Sequence, residues 1–167
     1  MTTFSSAFDD VSVSSEHYSV QRFMAGMFPD IEIRRRFVEG VFLERPFMLI
    51  TMVNHSVPSH NSYVAFPITD LVVAYYAKDF EDAQNALDKL SSLTWKNNRI
   101  PVWDYSDPQS PVATDYRLRV QESTCQLILD ADDTELHNVI CNLTVEGKRS
   151  YGPKYQGTVV ESFQIGV

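Results

Sequence analysis

Only two cysteines, Cys125 and Cys141, occur in 167 residues. That is too few for the disulfide framework that staples small secreted domains. A reduced cytosolic setting is therefore the default, and both thiols are expected to be free. No apolar run approaches the roughly 20 residues a membrane-spanning helix needs. The opening stretch, MTTFSSAFDDVSVSSEH, has two Asp and neither Lys nor Arg. It lacks the basic and apolar regions of a secretory signal. Positive charge is scarce: 14 Lys and Arg stand against 22 Asp and Glu, a net charge of -8. This argues against a general nucleic-acid-binding surface. Also missing are the phosphate-binding GxxxxGK[ST], the dinucleotide GxGxxG and the GxSxG elbow. There is no internal repeat and no low-complexity linker.

What is present reads as one folded domain over residues 1–167. The hydrophobic fraction is 44% and the aromatic fraction 12%, enough for a core and too much for a disordered chain. The chain is organised around Leu71 to Leu93, LVVAYYAKDFEDAQNALDKLSSL. Leu71 to Ala77 is a short apolar run that suits a strand covered on both faces. Ala83, Ala86, Leu87, Leu90 and Leu93 then share one face of a helix. Asp79 precedes that helix as its N-cap, and Glu81 and Asp82 oppose the helix dipole.

Elsewhere the pattern predicts an N-terminal helix over about Glu16 to Phe28. Val20, Phe23, Met24 and Met27 form its apolar stripe, Ser14 or Ser15 caps it, and Pro29 ends it. Residues 1–15 read as an arm. Ile31 to Val38 begins with strand alternation and carries Arg34, Arg35 and Arg36. That run is either a charged sheet edge or a contact for an acidic partner. PFMLITMV, Pro46 to Val53, is a second buried strand. Residues 54–67 form a long loop, with Tyr63, Val64 and Phe66 as partner-binding side chains, or else a long hairpin. Ile100 to Tyr105 is a strand, followed by the turn-rich Asp104 to Pro111. Thr124 to Leu129 and Leu136 to Val145 form a hairpin around Asp130 to Glu135. A turn near Asp133 sets Leu129 opposite His137 and Cys125 opposite Cys141. Gly147 to Gly157 reads as a basic loop, including Lys148 and Arg149, and the last residues as a strand or a tail. The fold class expected is α+β: a mixed, mostly antiparallel sheet packed by the N-terminal and central helices.

No constellation announces chemistry. His55 and His60 are the only close histidines, and zinc would need further ligands at defined geometry. DADDTE at Asp130 to Glu135 lacks the central Gly and distant Glu of a calcium loop, so it reads as an acidic turn. No metal, cofactor or catalytic residue is assigned, and the chain is expected not to be an enzyme. The competing expectation is a small cytosolic enzyme or ligand-binding protein with a cleft near His55, His60 and Trp103.

The order of parts resembles the tail terminator and tail-completion proteins of tailed bacteriophages. The likeness rests on the "YYAKD" strand end, the helix pattern "A..AL..L", the short "IPVWDY" strand and the pair ending in LTVEGKRS, over roughly Glu16 to Arg149. It implies a virion subunit that forms a ring, usually a hexamer. Such a ring caps the tail tube, stops its polymerisation and joins the head connector. The partners implied are further copies of the chain, the tail tube protein and the connector or neck protein. DNA passes through the lumen without specific binding, and no membrane is involved. Arg34, Arg35, Arg36, Tyr63, Val64, Phe66, Lys148 and Arg149 are the expected interface residues. Asp104, Asp107, Asp130, Asp132 and Asp133 are the expected lumen-facing acids. Head-closure and tube proteins are the nearest alternatives.

Overall fold

The computed structural model describes residues 13–36, 43–60, 64–96, 98–129 and 137–150. Chain order is α1 (Val13–Met27), β1 (Glu32–Arg34), β2 (Phe47–His60), β3 (Val64–Tyr76), α2 (Phe80–Ser91), a single 3-10 turn (Ser92–Thr94), β4 (Arg99–Asp104), β5 (Val112–Leu129), β6 (His137–Glu146) and β7 (Arg149–Ser150). The strands form one sheet in the order β1-β2-β3-β6-β5-β4, and β7 adds to β3. β1 runs parallel to β2 and every other pair is antiparallel. The expected α+β class, with a mixed and mostly antiparallel sheet, is what folds.

Both helices pack on the same face of this curled sheet. Val20 and Met24 of α1 and Ala83, Ala86 and Leu90 of α2 join one cluster. Met48 and Ile50 of β2, Leu71 and Val73 of β3, Cys141, Leu143 and Val145 of β6, Leu118 and Val120 of β5 and Ile100 and Val102 of β4 complete it. Each fully buried Leu, Ile or Val side chain stabilises the fold by about 1.5–3 kcal/mol relative to exposure. The opposite face has only a small cluster, Leu43, Phe47, Leu49 and Ala74. The alternation follows from the register: Met48 pairs with Tyr75 and Ile50 with Val73 on one face, while Phe47 pairs with Tyr76 and Leu49 with Ala74 on the other.

The central unit forms as its residues dictate. Asp79 has extended backbone at φ -154°, and its carboxylate accepts from the Asp82 N–H at 2.8 Å. One orphan first-turn donor is thereby satisfied. Ser92 closes the far end through its hydroxyl, which donates to the Lys89 carbonyl at 2.8 Å.

Several expectations are corrected. α1 begins at Val13 rather than Glu16, so Ser15 lies inside the helix instead of capping it. The Ser15 hydroxyl accepts from the Tyr105 N–H at 3.1 Å, and the Ser19 hydroxyl accepts from the Trp103 N–H at 2.8 Å. These bonds tie the first turns of α1 to β4 and extend the helix toward its N-terminus. The arm over residues 1–12 lies outside the described residues. β1 has three residues instead of the eight of Ile31 to Val38, and residues 37 and 38 lie outside the described set. Between the loop and the hairpin left open for residues 54–67, the hairpin forms: β2 continues to His60 and pairs back onto β3 as far as His60 opposite Ala65. Two register shifts, at Met52/Asn54 and Ser56/Ser59, accommodate its polar, Pro-containing half.

The β5–β6 register is the expected one, with Leu129 opposite His137 and Cys125 opposite Cys141. The free thiols are not: Cys125 and Cys141 are joined as a disulfide. Directly opposed positions on neighbouring antiparallel strands, here with Cα atoms 4.0 Å apart, bring two sulfurs within reach through backbone pairing alone. Within the stretch expected as a basic loop from Gly147, Arg149 and Ser150 pair with Ala65 and Val64 as β7; the rest of that loop and the expected last strand or tail, residues 151–167, lie outside the described residues.

Candidate functional site

Two surface features stand out from the sheet. The first is the outer half of the β2–β3 hairpin. β1 covers the edge of β2 only from Phe47 to Leu49. Beyond that, no described strand pairs with the outer edge of β2. Residues 51–58 are exposed apart from half-buried His55. Met52, Val53 and Val57 are 40%, 66% and 41% exposed. An unpaired strand edge carrying apolar side chains is a template for further pairing, and folded proteins usually blunt such edges.

The second feature is a groove of about 310 Å³ where β6 ends. There the chain leaves the sheet at Gly147, whose N–H donates to the Pro67 carbonyl at 2.8 Å. β3 and β5 continue past this point on either side, and the gap between them is the groove. Phe66 lines one wall and Tyr116 the other. Arg99, Arg117, Arg119 and Lys148 converge on it, with Asp115 and Glu146 as the carboxylates among its described lining residues. Arg99 and Arg119 are direct cross-strand partners, and Glu146 pairs with Arg119 from the other side. None of the four cations has an ion-pair partner among the described residues. Arg117 instead donates to the carbonyls of Thr114 and Tyr116 at 2.9 and 2.8 Å.

The expected interface residues divide among several places. Arg34, on the edge strand, is paired with Glu32 of the same strand. Arg35 lies over the Tyr18 ring at 3.5 Å, and Tyr18 packs on Tyr105 at 5.1 Å. Much of the arginine run is thus engaged by its own domain, while Arg36 is exposed. Val64 and Arg149 are in the β3–β7 ladder. Phe66 and Lys148 line the groove. Tyr63 lies outside the described residues. Among the expected lumen acids, Asp104 accepts from the Ser106 N–H and hydroxyl, and Asp107 accepts from the Gln109 N–H, so both brace their own turn. Asp130, Asp132 and Asp133 lie outside the described residues.

The cleft imagined near His55, His60 and Trp103 is not assembled. His55 is on β2, bonded through Nδ1 to the Thr69 hydroxyl at 2.8 Å. Trp103 lies beside α1 in a cavity of about 360 Å³, under the Arg22 guanidinium at 3.9 Å, with no histidine in its lining. β3, β6 and β5 stand between their strands in the sheet.

His17, which carried no assigned role, is buried in α1 and bonded to the Ile50 carbonyl at 2.9 Å. That carbonyl can only accept, so Nε2 carries the proton. Burial lowers the His17 pKa below the ordinary histidine value, and the nearby Arg35 charge lowers it further. Tyr75 moves upward, because its phenol is buried and donates to Asp82 at 2.8 Å.

Among the described residues, no group of three or more His, Cys, Asp or Glu side chains is placed to hold a metal ion. No described helix is long and apolar enough to cross a membrane. No protein-family model matches the chain, and no curated protein matches it at a significant level.

Sequence reasoning missed Arg99, Arg117 and Arg119 as a site. In Tyr116 to Val120, Tyr116, Leu118 and Val120 alternate with Arg117 and Arg119, so the two arginines read only as the polar side of a strand. The signal that could have found them is their spacing of two, which puts both on the face away from the core.

Proposed function

We propose that the chain is a structural subunit of a phage neck, a tail terminator that assembles into a ring, caps the tail tube and joins it to the head connector. The observation that carries this reading is the outer half of β2. Its edge, unpaired beyond Leu49 among the described residues, and its exposed Met52, Val53 and Val57 offer an assembly surface. A strand left open in this way is covered in the working form, because apolar side chains and unpaired edge groups gain most from burial in a partner. The motifs behind the phage likeness also fall on consecutive elements: the "YYAKD" end on β3, the "A..AL..L" pattern on α2 and "IPVWDY" on β4. The partners are other copies of the chain, the tube protein and the connector protein, and the working location is the virion.

Two measurements test the reading. Native mass spectrometry of the full chain is expected to show a closed oligomer, and Val53→Lys is expected to weaken it while leaving the fold intact. Tail tube protein polymerising with the chain present is expected to stop lengthening. Copolymerisation into the tube would identify a tube component instead. A persistent monomer that leaves tube growth unaffected would overturn the proposal.

A further inference from the structure

The groove at the end of β6 is a concentration of positive charge on an acidic molecule, and Asp115 and Glu146 offset only part of its four cations. Arg99 and Arg119 face each other directly across β4 and β5. Like charges in that position destabilise a sheet. Arg99 is on the edge strand, so no further described strand brings a carboxylate to its other side. Of the four cations, none is ion-paired among the described residues. Such an arrangement calls for an anionic group from outside the subunit.

The complementary surface is on the same chain. β6 runs from His137 to Glu146. Its Glu146 end carries the groove. Its His137 end lies beside Ala77, whose N–H donates to the His137 carbonyl at 3.2 Å. Ala77 leads directly into the start of α2, where Asp79 and Glu81 are exposed and Asp82 is half-buried. Lys78 stands beside them, and the half-buried Arg45 is turned to the sheet, donating to the Ala77 carbonyl at 2.9 Å and to the Asn138 side chain at 2.8 Å. Asp79 and Asp82 serve the helix cap, and Glu81 has no described bonding role. Ten residues of strand separate the two ends, about 30 Å at the rise of a β-strand. The subunit is therefore polar along its strands, basic at one end and acidic at the other.

We propose that the groove of Arg99, Arg117, Arg119 and Lys148 receives the acidic start of α2 from a second copy of this chain. The contact is head-to-tail, and a head-to-tail contact that closes makes a ring. This rests on the ring reading above and names the surfaces that would close it. A compact acidic helix start fits better than a long polyanion, because a chain of net charge -8 repels any polyanion that extends beyond the groove.

The test uses the full chain and charge reversal. Arg99→Glu places an acid opposite Arg119, so the isolated fold should melt no lower than the wild type. Self-association, followed by native mass spectrometry and light scattering at low salt, should weaken at least about tenfold. Glu81→Lys should weaken it similarly. The double variant Arg99→Glu/Glu81→Lys reverses both sides of the contact and should recover assembly. Unchanged oligomers in both single variants would overturn the groove assignment and leave the ring reading standing. Failure of the double variant to recover, with both single variants folded and weakened, would also overturn it. A wild-type chain that never associates would overturn both proposals together. Duplex DNA bound by the wild type at low salt and lost in Arg99→Glu would assign the groove to nucleic acid instead.

Discussion

Replacing Gly147 by alanine tests the packing that shapes the groove. Gly147 is buried where the chain leaves β6. A Cβ at that position would overlap the Tyr116 hydroxyl, with the ring Cζ at 3.1 Å and Pro67 Cγ at 3.2 Å. Neither neighbour yields readily. Tyr116 is 4% exposed and packed in the main core with Leu118 and Val120, and Pro67 is a rigid ring. Forcing a methyl group into a filled site costs about 1–3 kcal/mol. The reduced freedom of the unfolded chain offsets this by about 0.4–1 kcal/mol. The net expectation is a loss of about 1–2 kcal/mol, read as a lower urea midpoint at constant slope. Tyr116→Phe removes the clashing oxygen. In the Tyr116→Phe background the alanine should cost clearly less, giving a favourable coupling of about 1 kcal/mol between the two sites. Strictly additive losses would refute the clash as the reason for glycine here.

Other perturbations probe the rest of the scaffold. Leu90→Ala removes a fully buried side chain between α2 and the sheet. It should destabilise the fold by about 2–5 kcal/mol in the same urea titration. Asp79→Ala removes the α2 cap and should cost about 1 kcal/mol, whereas Glu81→Ala should cost a few tenths at most. His17 has a lowered pKa in the folded state, so the unfolded chain binds a proton more readily. The stability contributed by neutral His17 is complete above its unfolded value of 6.5. It falls as pH drops below that value and levels off under the folded pKa. Unfolding free energies measured between pH 7.5 and 5 should show this decline, and His17→Gln should flatten it.

The sequence read most faithfully where structure is local. The α2 cap, its apolar stripe and the strand before it follow from neighbours within four residues, and Asp79 bonds Asp82 as its position dictates. The β5–β6 register was also legible from Leu129 opposite His137 to Cys125 opposite Cys141, because two patterned strands close in sequence fix each other's pairing, whereas the register shift at Val120/Glu122 was not. The start of α1 was not legible, since the bonds from β4 that extend it come from about 90 residues along the chain. The length of β2 was hidden too. A polar strand with Pro58 and two register shifts has no clean alternation to read.

The groove shows the same division. Composition fixed the net charge, and alternation put Arg117 and Arg119 on the outer face. Only the pairing of β4, β5 and β6 set Arg99 against Arg119 and brought Lys148 beside them. The physical reason is range. Capping and periodicity act along a few bonds, whereas charges on separate strands meet only after the core has chosen the strand order.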